Sequence, residues 1–224
     1  MRVQCDGAGA WATQEEIPSQ DRSTVAREFE TDEEIEVWAD SLDERWPERL
    51  KVRRHIVSLI QGHSAPNPSI VELCSGDGRL SKEVLAMRPE VSYVGVDASE
   101  SLLEYFERML RGAEVRGVPA DLRKPTALLD AGSADVIVTL QSMHDVGGPE
   151  EISNIYATCF DWLRPKGMLF VSDFVVPEGE VDPKQPGRLP IGWHLGALSA
   201  AGYSDARCSM EVGKLGCFVG VKKS

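Results

Sequence analysis

Residues 70–78 read I-V-E-L-C-S-G-D-G, and Val94-Gly95-Val96-Asp97 follows about twenty residues later. A short apolar run that breaks into a glycine-rich turn is the signature of a buried parallel strand ending against a helix N-terminus. Gly76 and Gly78 leave room for a ligand to touch backbone. A second apolar run, Val91 to Val96, closes on Asp97, a carboxylate placed where both hydroxyls of a ribose can be gripped. The two corners together describe a nucleoside pocket.

A dinucleotide fold carries the same strand, turn, helix, strand and acid, so the departures from it matter. Ser81 takes the third small position of G-x-G-x-x-G, and Glu72 sits in the strand end, four residues before the first glycine. A pyrophosphate with two negative charges is disfavoured beside that carboxylate. The string instead resembles the first motif of class I S-adenosylmethionine-dependent methyltransferases, [DE]-x-G-x-G-x-G, with Glu72 as the acid, Cys74 in place of the first glycine, and Gly76 and Gly78 as the later ones.

The resemblance runs on in order over roughly residues 52–222. Val115 to Val118 leads into Pro119-Ala120-Asp121-Leu122, similar to the family's motif after strand 3; Ala134 to Leu140 resembles strand 4. Phe160 to Phe174 resembles helix, turn and strand 5, and His194 to Tyr203 the penultimate helix before a closing strand pair. What the resemblance implies is an α/β, doubly wound, mainly parallel seven-stranded, Rossmann-like sheet with an N-terminal helical addition. It implies S-adenosyl-L-methionine as cofactor, with Glu72, Leu73, Cys74, Gly76 and Gly78 around the methionine end. Asp97 and Ala98 would hold the ribose, Asp121 and Leu122 would read adenine, and Gln141 would offer backbone nearby.

The chain has 224 residues and a formal charge of −12, nine of which arise in residues 1–50, where fourteen acids face five arginines and no lysine. That balance works against nucleic acid as a partner and leaves a small molecule as the expected acceptor. The first twenty residues carry neither a basic nor an apolar leader segment and read as part of a loose acidic tail over 1–28. No apolar run reaches membrane-spanning length, so no membrane is expected. Cys5, Cys74, Cys159, Cys208 and Cys217 are odd in number and lack C-x-x-C spacing, which points to a reducing, cytoplasmic location and no zinc or other metal site. The oligomeric state is not encoded in any pattern here.

Residues 29–62 read as a helical cap preceding a core over 63–224. Phe29, Ile35, Val37, Trp38 and Leu42 suggest an amphipathic helix opened by Thr31-Asp32-Glu33-Glu34 and stopped before Trp46-Pro47; Leu50, Ile56, Val57 and Ile60 suggest the inner face of a second, from Pro47 to Gln61. Trp38 is a candidate for covering the cofactor or lining the acceptor pocket, with core packing the alternative, as for Trp46. Arg53 or Arg54 either reaches the methionine carboxylate or forms a solvated face.

In an open parallel sheet, ligands gather at the carboxyl ends of the strands. His144 stands just beyond strand 4 and is the candidate general base for an acceptor hydroxyl, amine or enol; packing or capping of its loop is the alternative. Trp193 and His194, at the start of the helix after strand 5, are candidates for acceptor binding at the rim, against simple packing there. Residues 175–191, rich in Pro and Gly, read as an irregular flap. Two other functions share the fold: a cofactor-binding protein without methyl transfer, and a nicotinamide oxidoreductase, which Glu72 and Ser81 disfavour.

Overall fold

A computed structural model describes residues 27–124 and 128–223. The elements alternate as α1 (Asp32–Arg45), α2 (Glu48–Gln61), β1 (Ser69–Leu73), α3 (Arg79–Met87), β2 (Ser92–Asp97), α4 (Glu100–Met109) and β3 (Val115–Pro119). They continue as β4 (Ala134–Leu140), α5 (Met143–Val146), α6 (Pro149–Trp162), β5 (Leu163–Val176), β6 (Leu189–Pro190), α7 (Ile191–Ala200), β7 (Ser204–Val212) and β8 (Leu215–Val221). Seven strands lie in the order β3-β2-β1-β4-β5-β8-β7, with β1 to β5 parallel and β8 antiparallel to both neighbours. The sheet is the doubly wound one expected, with β6 as a two-residue addition beside the end of β5.

Strand order reverses between β1 and β4, which opens a crevice above their carboxyl ends. Both faces of the sheet are covered, so β1 and β4 are almost wholly buried apolar runs. On one face Val52, Ile56 and Ile60 of α2 pack with Val84 of α3 and Phe106 of α4; on the other, Ile152 and Tyr156 of α6 pack with Leu198 of α7. At roughly 25 cal/mol per Å² of apolar surface, two such layers are the dominant stabilising term.

Local signals set the entry to this core. Thr31 caps α1, its Oγ1 accepting from Glu34 N at 3.2 Å, while Glu34 Oε2 accepts from Glu30 N at 2.9 Å. Residues 1–26 of the expected tail lie outside the described residues, but Glu28 accepts from the Glu100 and Ser101 amides, and Phe29 N donates to Ser101 Oγ at 3.0 Å. The approach to α1 is thereby tied to the start of α4.

Two face assignments need correction. Val37 is 63% exposed and Leu50 38% exposed, while Ala39 and Val52 are buried in their stead. The cause is helical phase: Val37 is turned roughly 200° from Ile35, and Leu50 falls off the stripe that Val52, Ile56 and Ile60 share. The 175–191 segment is irregular over 177–188, as its composition suggests, but its two ends are fixed. Val175 and Val176 pair with Leu189 and Pro190, and Gly187 lies so close to α5 that an added Cβ would stand 2.3 Å from Gly147 O and 2.6 Å from His144 Cα.

Candidate functional site

The turn after β1 is built from left-handed backbone. Cys74, Gly76 and Gly78 have φ of 55°, 54° and 77°. Glycine adopts that region freely, whereas a side chain there costs about 1 kcal/mol, so Cys74 occupies a glycine's conformation. Asp97, at the end of β2, closes the turn from the side. Its Oδ2 accepts from Gly76 N at 2.9 Å and its Oδ1 from Ser99 N at 3.1 Å. Burial raises the carboxyl pKa, and the Ser99 and Gly76 amides oppose that rise. Ser99, not Asp97, caps α4, since its Oγ accepts from Leu102 N.

Glu72 points up from β1 into the same crevice, 3% exposed, its Oε2 accepting from Tyr93 Oη at 2.8 Å. Burial pushes this carboxyl up to about 8; the Tyr93 bond pulls the other way, and nearby Asp77 and Asp97 add to the rise. Asp121 stands beyond β3, paired with Arg123 Nε at 3.1 Å, and that contact holds its carboxyl below the usual range. Ala98 and Leu122 line the crevice beside these acids.

The roof comes from α1 and α2. An added Cβ at Gly76 would meet the Trp38 ring at 3.6 Å, so Trp38 lies over the turn. Asp43 is a hub, 3.2 Å from both Arg49 and Arg53 and 3.3 Å from Arg79; Arg53 also reaches Glu83 at 2.6 Å, and Arg79 reaches Asp77 and Asp40 at 2.7 Å. Arg53 is thus buried among carboxylates, and Arg54 is the solvated one. Arg49 donates to Gln141 Oε1, and Gln141 itself sits at φ 57° with its N–H on Ser172 O at 2.6 Å. Nothing in the linear spacing of Asp43, Arg49, Arg53 and Arg79 advertised this network.

Beyond β4 the site changes character. His144, 8% exposed, sits above the end of β5 with its Nδ1 2.6 Å from Asp173 Oδ1 and its N–H donating to Asp173 Oδ2 at 2.9 Å. Asp173 is fully buried and accepts from its neighbour Phe174 N as well. Burial alone would push the imidazole pKa down and the carboxyl up. The pair's mutual charge and hydrogen bonds outweigh burial, so His144 lies above its ordinary 6.5 and Asp173 below its ordinary 3.8. Asp173 therefore accepts, Nδ1 carries the proton, and Nε2 is the titrating face, 3.4 Å from the exposed Asp145. Phe174 contacts His144 edge-on at 4.9 Å and Trp46 at 4.7 Å.

One cavity of about 980 Å³ joins these parts, lined among others by Trp38, Glu72, Cys74, Gly76, Asp97, Ala98, Asp121, Leu122, Gln141 and His144. Four expected site residues stand outside its lining. Leu73 is fully buried in the core, and Gly78 is required by packing, because a Cβ there would stand 2.8 Å from Phe106 and 2.9 Å from Met109. His194 is fully buried, its Nδ1 2.8 Å from Tyr156 Oη and its ring stacked on Phe218 at 4.3 Å; burial pushes its pKa down to about 4. Trp193 packs beside it, edge-on at 5.3 Å. Both turn into the layer under α7, away from the rim, because the first turn of α7 faces α6 and β8.

The cavity suits S-adenosylmethionine on its own geometry. Its volume fits a cofactor-sized ligand, a side-chain-free Gly76 amide faces Asp97, each Asp97 oxygen keeps a lone pair for a diol hydroxyl, and a proton-poised Glu72 faces the space where a cation would gain from it.

Residues 70–167 match the family described as a methyltransferase domain. The carboxy-S-adenosyl-L-methionine synthase of Desulfotalea psychrophila is 30% identical over 155 residues, covering 66% of this chain and 61% of that protein. The release factor glutamine methyltransferase of Mycobacterium leprae is 31% identical over 143 residues, covering 52% of this chain and 50% of that protein. The chain thus spans between half and two thirds of the length of these relatives. In fold it is similar to an O-methyltransferase family protein from Burkholderia thailandensis, with a TM-score of 0.63 at 16% identity over 77% of this chain and 57% of that one. The turn after β1, the acid closing β2 and these matches make the chain similar to the class I S-adenosylmethionine-dependent methyltransferases, with the methyltransferase-domain match over residues 70–167.

Proposed function

We propose that the chain methylates a small-molecule acceptor, with His144 as the general base. The observation that carries this reading is the buried His144–Asp173 pair opening onto the same cavity as Gly76, Glu72 and Asp97. When bound, S-adenosylmethionine supplies a methyl carbon activated by a sulfonium leaving group. Gly76 and Asp97 would hold its ribose, Asp121 and Leu122 its adenine, and Glu72 and Gln141 its methionine end. Glu72 would ionise beside that positive charge.

The chain's remaining task is to align the acceptor, keep water out and take a proton. Asp173 fixes the imidazole with Nδ1 protonated, so Nε2 offers a lone pair to an acceptor O–H or N–H once His144 is neutral. A small acceptor is favoured because this half of the cavity is walled by Trp46, Phe174, Pro186 and Arg188. Cytoplasmic placement accords with four free cysteines among the described residues, none of whose helices is long and apolar enough to cross a membrane.

The test is incubation of the purified chain with methyl-labelled S-adenosylmethionine and a panel of phenols, amines and carboxylates. Acceptor-dependent formation of S-adenosylhomocysteine, abolished in His144→Gln, is the expected result. Binding of the cofactor with no turnover on any acceptor would favour the regulatory alternative.

A further inference from the structure

We propose that the acceptor is a small carboxylic acid and that Arg188 takes its carboxylate; this rests on the methyl-transfer reading above. Arg188 lies on the acceptor side of the cavity, with its guanidinium carbon 4.7 Å over the Phe174 ring whose edge contact is His144. The same aromatic platform therefore carries a cation and the base. Planar contact with an aromatic face leaves the in-plane N–H edges of a guanidinium for an acceptor.

Arg188 differs from the arginines on the roof. Arg53 and Arg79 have carboxylates at 2.6 Å and 2.7 Å. Arg188 has one carboxylate contact, from Nη1 to Asp182 Oδ2, stretched to 3.4 Å. Its Nε is shielded from solvent and has no hydrogen-bond partner among the described residues. A cation's N–H left without an acceptor carries an uncompensated desolvation cost, which a bound anion would remove. With Nη1 turned to Asp182, the edge formed by Nε and Nη2 remains, and that edge matches the two oxygens of a carboxylate.

The position is built and not incidental. Gly187 lies on the backbone of His144 and Gly147, so close that no side chain fits, and Leu189 pairs with Val175. Arg188 is pinned between these two contacts. The charged groups around it are Asp182 of its own loop and His144 of α5, whose Nε2 in turn lies 3.4 Å from Asp145. Beside Arg188 and those two carboxylates, a monoanion meets less repulsion than a phosphate dianion would. The nucleophilic hydroxyl or amine of the acid would then point to His144 Nε2.

The experiment is calorimetric titration of the full chain, first with S-adenosylhomocysteine and then, once saturated, with hydroxy- and amino-substituted carboxylic acids, each matched to its neutral primary amide. 4-Hydroxybenzoate, salicylate, anthranilate and 3-hydroxybutyrate serve as probes. At least one acid is expected to bind tenfold or more tightly than its amide. Arg188→Gln should erase that preference, and Arg188→Lys should recover part of it, since charge returns without the planar edge. Both variants should keep wild-type affinity for S-adenosylhomocysteine, which verifies their fold. The proposal is overturned if no acid outbinds its amide, or if the preference survives in Arg188→Gln. Absence of heat for S-adenosylhomocysteine in the wild type would instead sink the cofactor reading itself.

Discussion

The two halves of the cavity are held by different means. On the side of β1 and β2 the shape is made by backbone: alternate left-handed residues at 74, 76 and 78, with the Asp97 carboxylate tied to the Gly76 and Ser99 amides. On the side of β4 and β5 it is made by side chains: the His144–Asp173 pair, the Phe174 platform and Arg188. A ligand that never changes is suited to a backbone mould. A half built from side chains is free to vary with the acceptor while the fold stays the same.

The largest effects should come from breaking the side-chain half alone. His144→Gln is expected to lower kcat by about 10²–10⁴-fold, the usual contribution of a positioned base, while S-adenosylhomocysteine binds as before. Asp173→Asn should lower kcat similarly and also destabilise the fold by about 3–5 kcal/mol, because one member of a buried pair is left uncompensated. A loss of cofactor affinity in His144→Gln would mean that the two halves are not separable. Because the His144 pKa lies above 6.5, kcat should rise with pH to a plateau reached later than an ordinary histidine allows. The sign for stability is opposite. The stabilisation from the charged pair is fully present below about pH 6.5 and is lost as pH rises through the elevated folded value.

Breaking the backbone half gives the mirror result. Asp97→Ala removes a charged acceptor from the Gly76 amide and from any bound diol. Affinity for S-adenosylhomocysteine should fall by about 1.5–3 kcal/mol, roughly 10- to 150-fold, with kcat at saturating cofactor little changed. Unchanged affinity in titration would remove Asp97 from the pocket.

How much of each half was legible follows from the same difference. Glu72, Gly76 and Asp97 could be read because a strand, a turn and the next strand's acid keep a fixed spacing along the chain. His144 was visible as a residue after β4, but its partner lies 29 positions on, and only the adjacency of β4 and β5 joins them. Nothing along the sequence singles out Asp173 as that partner. His194 was misplaced for a related reason: position after a strand predicts the rim, yet the direction of a side chain on α7 depends on the phase of that helix over β8. Gly187 and Arg188 were hidden inside a proline-rich stretch whose composition says loop and says nothing of what the loop rests on.

A stability effect sharpens the role of Glu72. Its folded pKa of about 8 lies far above the ordinary carboxylate value, so folding takes up a proton between roughly pH 4.5 and 8, and stability falls as pH rises through that window. Glu72→Gln keeps an acceptor for Tyr93 and removes the ionisation. Thermal melts should show it more stable than wild type at pH 8, by up to about 4 kcal/mol, and nearly equal at pH 4.5. Equal melting at both pH values would place the titration elsewhere.

The smallest expected effect bears on whether the backbone mould matters at Cys74. With φ at 55°, a β-carbon costs about 1 kcal/mol relative to glycine, and glycine in turn loses about 0.5–1 kcal/mol through greater freedom in the unfolded chain. The two nearly cancel, so Cys74→Gly should leave stability within about 0.5 kcal/mol of wild type. Cys74→Ala keeps the unfavourable backbone and loses the thiol's contacts at the cavity wall, so it should fall below both. The order Gly at or above Cys, with Ala lowest, reverses what an ordinary buried position gives. Were Gly to prove the least stable of the three in denaturant melts, the left-handed backbone at 74 would contribute nothing to the turn, and the thiol's packing would be what shapes it.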